Sequence, residues 1–113
     1  MANCVPVREA DVQRAITDWL SAKRIFWMRM NVGAMSGVHN GKRRFVRFAR
    51  PGTADLLTVS PDACKCPCIT WIEVKRPGGK QSEDQAEFQR EVESHGMAYI
   101  LADSLDAVIE EFE

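Results

Sequence analysis

Apolar residues near both ends of the chain recur at the spacing of an α-helix. In the first stretch they occupy Val12, Ala15, Ile16, Trp19 and Leu20. This period predicts an amphipathic helix over residues 8–22 with one face packed inward. The last stretch repeats the pattern at Leu105, Val108, Ile109 and Phe112. Either Asp103 or Ser104 can cap that final helix.

The chain between these two helices predicts four strands and one more helix. The strand-forming stretches are residues 25–32, 54–60, 69–76 and 97–101. A helix is expected from Ser82 to His95, because Ser82 and Gln85 form a capping-box signature and Gly96 is a typical helix terminator. The order α-β-β-β-α-β-α predicts an α/β fold, and we expect residues 1–113 to form one domain.

Positive charge is concentrated in the first half of the chain. Residues 1–52 carry ten Lys and Arg against three acids, whereas residues 53–113 carry five against thirteen. A glycine-containing loop is predicted over residues 33–41, and it leads into a basic segment, extended if it forms a strand, that contains Lys42, Arg43, Arg44, Arg47 and Arg50. Basic side chains interleaved with aromatic ones suit a nucleic-acid groove, although charge also protects solvated edge strands.

Two charged residues share one face of the predicted strand over residues 69–76. Side chains alternate along a strand, so Glu73 and Lys75 point the same way while Ile72 and Val74 take the opposite face. A buried carboxylate costs several kcal/mol, by order of magnitude, unless a cation compensates it. A divalent ion held jointly by Asp55 and Glu73 would do so, and oxygen ligands favour Mg²⁺ or Mn²⁺.

The ordered set of these residues resembles the virus-type replication-repair nuclease (VRR-NUC) domain of the PD-(D/E)XK nucleases. It comprises Glu9 on the first helix, the R-M-N-V-G run of residues 29–33, G-T-A-D ending at Asp55, I-E-V-K ending at Lys75, the P-G-G loop of residues 77–79, and Gln85. The resemblance implies a restriction-endonuclease-like αβββαβ core with a mixed sheet flanked by helices, plus a C-terminal helix.

The resemblance also implies a reaction and roles for the residues. Asp55, Glu73 and the backbone carbonyl of Val74 would bind Mg²⁺, with Mn²⁺ as a substitute, and Lys75 would orient the attacking water or steady negative charge. Glu9 would help to bind the metal or its water shell. Gln85 matches an active-site glutamine of the family, but its capping position offers a second role.

Stand-alone domains of this size resemble phage or bacterial Holliday-junction resolvases. We therefore expect a homodimeric DNA endonuclease selective for branched DNA, without a small-molecule cofactor. Flap-cutting, restriction-like and non-catalytic DNA-binding activities remain alternatives. No apolar run reaches membrane-spanning length, and charged residues in the first twenty positions argue against a signal peptide there. We expect a cytoplasmic protein, within a bacterial host if a phage encodes it.

Four cysteines, Cys4, Cys64, Cys66 and Cys68, suggest another alternative. The last three could bind zinc with Cys4, His39 or His95 as the fourth ligand, which would make the chain a zinc-stabilised interaction protein. Their spacing matches only half of a usual structural zinc site. Reduced thiols in a hairpin loop are the favoured interpretation, since the cytoplasm is reducing.

Overall fold

Helices flank a four-stranded mixed β-sheet. The computed structural model describes residues 5–30, 34–39, 42–47, 50–61 and 67–113. The helices are α1 (Glu9–Ala22), α2 (Glu83–Ser94) and α3 (Leu105–Phe112), and the strands are β1 (Phe26–Arg29), β2 (Ala34–His39), β3 (Lys42–Arg47), β4 (Leu56–Pro61), β5 (Pro67–Val74) and β6 (Ala98–Ala102). The predicted α/β class, mixed sheet and C-terminal helix are confirmed.

The main sheet has the strand order β1-β4-β5-β6. Strand β4 pairs antiparallel with both β1 and β5, and Leu56 of β4 lies opposite Ile72 of β5. Strand β6 is parallel to β5, with Trp71 opposite Tyr99. A parallel pair needs a crossover connection, which α2 supplies. The antiparallel and parallel pairs therefore meet at β5, the strand that carries Glu73.

The helix ends follow local capping chemistry. Helix α2 has the predicted capping box, in which Ser82 Oγ accepts from the Gln85 N–H and Gln85 Oε1 accepts from the Ser82 N–H. It ends before Gly96, whose φ of +84° is favourable only for residues without a Cβ. For α3, the two capping candidates resolve to Ser104, whose hydroxyl accepts from the Ala107 N–H.

The apolar core lies on both faces of the sheet. On one face, α1 and α3 cover a cluster that comprises Val12, Ile16, Leu20, Leu56, Ile72, Val74, Ile100, Ala102 and Val108. On the other face, Ala54 packs with Phe88 and Val92 of α2, and Trp71, Met97 and Tyr99 complete this second cluster. Alternation along β5 places Ile72 and Val74 in the first cluster and Trp71 in the second.

The predicted strands need correction at several places. Residues 34–39 are strand β2 rather than part of a loop, and β2 pairs antiparallel with β3 in a separate two-stranded sheet. An extended β3 outside the main sheet needs a hydrogen-bonding partner, and the preceding segment provides it. Strand β5 ends at Val74, so Lys75 follows the strand, although its N–H still donates to the Ala102 carbonyl at 2.8 Å.

None of the helices in the described ranges is both long enough and apolar enough to span a membrane.

Candidate active site

Asp55 and Glu73 meet at one end of the antiparallel β4–β5 pair. Because Leu56 lies opposite Ile72, the next residues outward, Asp55 and Glu73, face each other across the two strands. Asp55 Oδ2 accepts from the Val74 N–H at 2.8 Å, and the Asp55 carbonyl accepts from the Met30 N–H at 2.8 Å. The carboxylate of Asp55 is therefore held against β5, beside Glu73.

Glu73 is a buried acid whose hydrogen bonding is incomplete. Its side chain is 1% exposed, and its Oε1 has no hydrogen-bond partner among the described residues. Burial, a hydrogen bond with the Asp55 side chain and the charge of Asp55 together raise the pKa of Glu73 to about 9. The ion-free carboxyl is therefore protonated at neutral pH, since two adjacent carboxylates in a buried place disfavour double ionisation.

The carboxylate pair is compatible with a divalent cation. The ion would interact with both carboxylates, and the unpartnered Oε1 of Glu73 would gain a ligand bond. Among the described residues, no three His, Cys, Asp or Glu side chains are grouped to hold a metal. Two carboxylates are nevertheless sufficient for Mg²⁺, which commonly keeps several waters and binds substrate phosphates. The Val74 carbonyl remains a predicted third protein ligand.

Lys75 and Glu9 both act on Glu73 through their charges. The Lys75 ammonium lowers the pKa of Glu73, whereas the Glu9 carboxylate raises it. Lys75 is half-buried, and Glu9 is the exposed first residue of α1. The structure therefore brings four of the five predicted catalytic residues, Asp55, Glu73, Lys75 and Glu9, into one electrostatic neighbourhood. Their roles in a reaction stay predictions.

Gln85 caps helix α2 in this structure. Its side-chain oxygen lies 2.9 Å from the Ser82 nitrogen, so the capping role left open by the sequence is formed. Its active-site role has no supporting contact among the described residues and stays a prediction.

The turn before Asp55 packs directly on the start of α2. Gly52 has a φ of +83°, and a Cβ added there would overlap the Asp84 backbone. Thr53 is buried, and its hydroxyl donates to the Arg50 carbonyl at 2.7 Å. Glycine is therefore required at position 52 for two reasons: the positive φ angle and the close approach of the Asp84 backbone. This packing fixes the direction in which the chain enters Asp55.

Tyr99 is a neighbour of the site that the sequence did not indicate. Burial raises the pKa of Tyr99 to about 12, opposed by a hydrogen bond from Gln81 and aided by the charges of Glu73 and Asp55. Gln81 Nε2 lies 3.1 Å from the Tyr99 hydroxyl and 2.9 Å from Gln89 Oε1. Only the parallel register of β6 on β5 places Tyr99 here, and no local pattern specifies that register.

The predicted DNA-binding cluster divides between two environments. Lys42, Arg43, Arg44 and Arg47 lie on β3, whose side chains are outside the described part of the chain. Arg50 pairs with Glu91 of α2 at 2.7 Å and lies over the Phe88 ring at 5.7 Å from its centroid. Arg50 thus already has a structural role in holding the turn before Asp55 against α2.

Only two of the proposed zinc ligands, Cys68 and His95, have side chains in the described part of the chain. Cys68 is a free, half-buried thiol on β5, while Cys4, Cys64 and Cys66 lie outside the described residues and so does the side chain of His39. The Nδ1 atom of His95 contacts the Glu91 carbonyl at 2.8 Å at the end of α2. His95 therefore has a local hydrogen-bonding role.

Comparison with known proteins identifies a domain family for this chain. The family model described as the VRR-NUC domain matches residues 7–106. Neither the search of curated proteins nor the search of solved structures gave a match. The matched range includes α1, the whole four-stranded sheet and α2, and therefore every residue of the carboxylate site.

Proposed function

The chain belongs to the VRR-NUC domain family, whose members are PD-(D/E)XK-type nucleases that act on DNA, and on this premise we propose a Mg²⁺-dependent endonuclease selective for branched DNA. The observation that carries this proposal is the buried carboxyl of Glu73, with one oxygen unpartnered and Asp55 beside it. A buried, incompletely bonded acid is costly to stability, and a metal-binding role accounts for its presence.

The residues of the site have distinct tasks in this proposal. Asp55 and Glu73, with the Val74 carbonyl, hold the ion, and Mn²⁺ can replace Mg²⁺. When bound, such an ion acidifies a water and polarises the phosphate. Lys75 orients the attacking water or stabilises negative charge that develops on the phosphate. Glu9 supports the water shell of the ion, and Gln85 assists if its side chain can leave the cap.

Branched DNA and a homodimer are the finer parts of the proposal. A four-way junction has two equivalent strands to cut, so a two-fold dimer presents one active site to each. Support for the dimer comes from the likeness of small VRR-NUC domains to dimeric resolvases. Sedimentation at high protein concentration tests this part, and a monodisperse monomer would remove it.

Cleavage of matched DNA substrates tests the proposed function. A synthetic four-way junction, a flap and a linear duplex of the same sequence would be incubated with the protein, with Mg²⁺ or with EDTA. We expect Mg²⁺-dependent cuts in the junction at a higher rate than in the linear duplex. Preferential flap cleavage would replace the resolvase assignment, and DNA binding without cleavage in Mg²⁺ would indicate a non-catalytic module.

A further inference from the structure

A groove separates helix α1 from the edge strand β1. It encloses about 350 Å³ and is lined by Ala10, Gln13, Arg14, Thr17, Trp27 and Arg29. The four helical residues are spaced at i, i+3, i+4 and i+7, so they form one stripe along α1. Trp27 forms part of the floor, and its indole N–H donates to Ser21 Oγ at 2.9 Å, which fixes the ring.

The groove presents two exposed guanidinium groups. Arg14 and Arg29 are exposed, and neither forms an ion pair with any residue that the structure describes. The nearby acid Asp11 is paired with Arg8, whose Nε lies 3.4 Å from its carboxylate. Hydrogen bonds from Arg8 lower the pKa of Asp11, with a smaller contribution from the charge of Arg14. The two groove guanidiniums are therefore available to an external anion.

One end of the groove adjoins the carboxylate site. Arg29 is followed by Met30, whose N–H donates to the Asp55 carbonyl at 2.8 Å. On the helix side, Ala10 follows Glu9, whose charge acts on Glu73. An anionic polymer lying in the groove would therefore pass close to the end of β4 that carries Asp55.

We infer that this groove binds the sugar-phosphate backbone of the DNA as it approaches the carboxylate site, with Arg14 and Arg29 contacting successive parts of the strand. Guanidinium groups match phosphate oxygens in a bidentate manner, and the Gln13 amide adds a neutral donor. Because phosphate contacts carry no base information, this surface positions DNA of any sequence. The inference rests on the proposed function, since it assumes that the substrate is DNA.

Salt-dependent DNA binding tests the inference. The double variant Arg14→Gln/Arg29→Gln would be compared with Arg24→Gln/Arg90→Gln, which removes the same charge from exposed positions outside the groove. Fluorescence anisotropy in EDTA would measure Kd for a labelled duplex and a four-way junction. We expect the groove variant to bind about tenfold more weakly at ~0.15 M salt, with a salt slope smaller by about 2. Equal losses in the two double variants would overturn the inference.

A variant with an added positive charge provides an independent test if Arg14→Gln/Arg29→Gln folds poorly. Gln13→Arg adds one positive charge to the groove, whereas Glu87→Gln raises the net charge by the same amount at an exposed position of α2. Tighter binding by Gln13→Arg than by Glu87→Gln supports the groove, and equal binding contradicts it.

Cleavage assays on the same variants separate this inference from the proposed function. If the wild-type protein binds DNA through the groove but cuts nothing with Mg²⁺ or Mn²⁺, the nuclease proposal fails and the groove stands. If it cuts DNA while the groove variant binds normally, the groove inference fails alone. Absence of DNA binding by the wild-type protein would contradict both.

Discussion

Neighbouring residues on the two faces of strand β5 are equally buried but differ in chemistry. Ile72 and Val74 are fully buried on the face covered by α1 and α3, where every neighbour in their core cluster is apolar. Glu73, between them in sequence, is 1% exposed on the other face, with Asp55 beside it and one oxygen unpartnered. Burying an aliphatic side chain of this size stabilises the fold by roughly 1.5–3 kcal/mol. Burying an unpaired carboxylate has the opposite effect.

On the proposed function, this difference separates the part of the strand that supports stability from the part that supports chemistry. Burial of the apolar face stabilises the fold, and this stabilisation offsets the cost of burying the Glu73 carboxyl. Substitutions on the two faces should therefore separate the free energy of unfolding from the rate of DNA cleavage. The predictions below use that separation.

The largest expected effect is on catalysis, from Glu73→Gln. Loss of a ligand removes several kcal/mol of transition-state stabilisation, so the cleavage rate should fall by about 10³-fold or more. Stability at pH 8 without metal should equal or exceed that of the wild-type protein, because the amide needs no proton. Single-turnover cleavage and urea unfolding would measure both. Wild-type cleavage by this variant would remove Glu73 from the mechanism.

The converse substitution on the apolar face is Ile72→Ala. It leaves a cavity among fully buried residues, so the free energy of unfolding should fall by about 2–5 kcal/mol. At a temperature where the variant is still folded, its cleavage rate should stay within a few-fold of the wild-type value. Urea titration would measure the first quantity. A stability change below about 0.5 kcal/mol would mean that this face does not stabilise the fold.

A third test uses pH on the metal-free protein. The pKa of Glu73 is raised in the folded state to about 9 from its ordinary value of 4.5, so the native protein holds a proton that the unfolded chain releases. The contribution of Glu73 to the free energy of unfolding is therefore fully present below about pH 4.5. It decreases as pH rises towards 9, by at most about 1.4 kcal/mol per pH unit. Glu73→Gln should lack this decrease. Parallel pH profiles of the two proteins would contradict the raised pKa.

The smallest expected effect distinguishes the two roles of Gln85. Gln85→Ala removes half of the capping box and should cost about 0.5–1 kcal/mol of stability. Gln85→Glu keeps an N3 side chain that can accept from Ser82, so its stability should match the wild-type value. If both variants cleave DNA normally, Gln85 is only a cap. If Gln85→Glu is stable but slow, the residue also serves the active site.

Sequence periodicity was sufficient for the three helices, for the strands of the main sheet and for the Asp55–Glu73 pair. The helical stripes of α1 and α3 appeared as predicted, and strand alternation put Glu73 on the face opposite Ile72 and Val74. The short separation of β4 and β5 made them a hairpin, and their antiparallel register brings Asp55 opposite Glu73. Local patterns are reliable here because both partners are close in sequence.

The features that escaped prediction depend on contacts between distant segments. The approach of Gly52 to Asp84, the ion pair of Arg50 with Glu91, and the place of Tyr99 on β6 all require the tertiary arrangement. Strand β2 was missed because its glycine-containing sequence is typical of a loop, whereas its extended form depends on pairing with β3.

Direct binding of Mn²⁺ is the most decisive measurement for a shared ion between Asp55 and Glu73. Electron paramagnetic resonance would follow the loss of the free Mn²⁺ signal on titration with wild-type protein, Asp55→Asn, Glu73→Gln and the control Glu87→Gln. The account predicts one competitive Mg²⁺/Mn²⁺ site in the wild-type and Glu87→Gln proteins, weakened at least tenfold by either of the other changes. Undiminished Mn²⁺ binding by both Asp55→Asn and Glu73→Gln would contradict it.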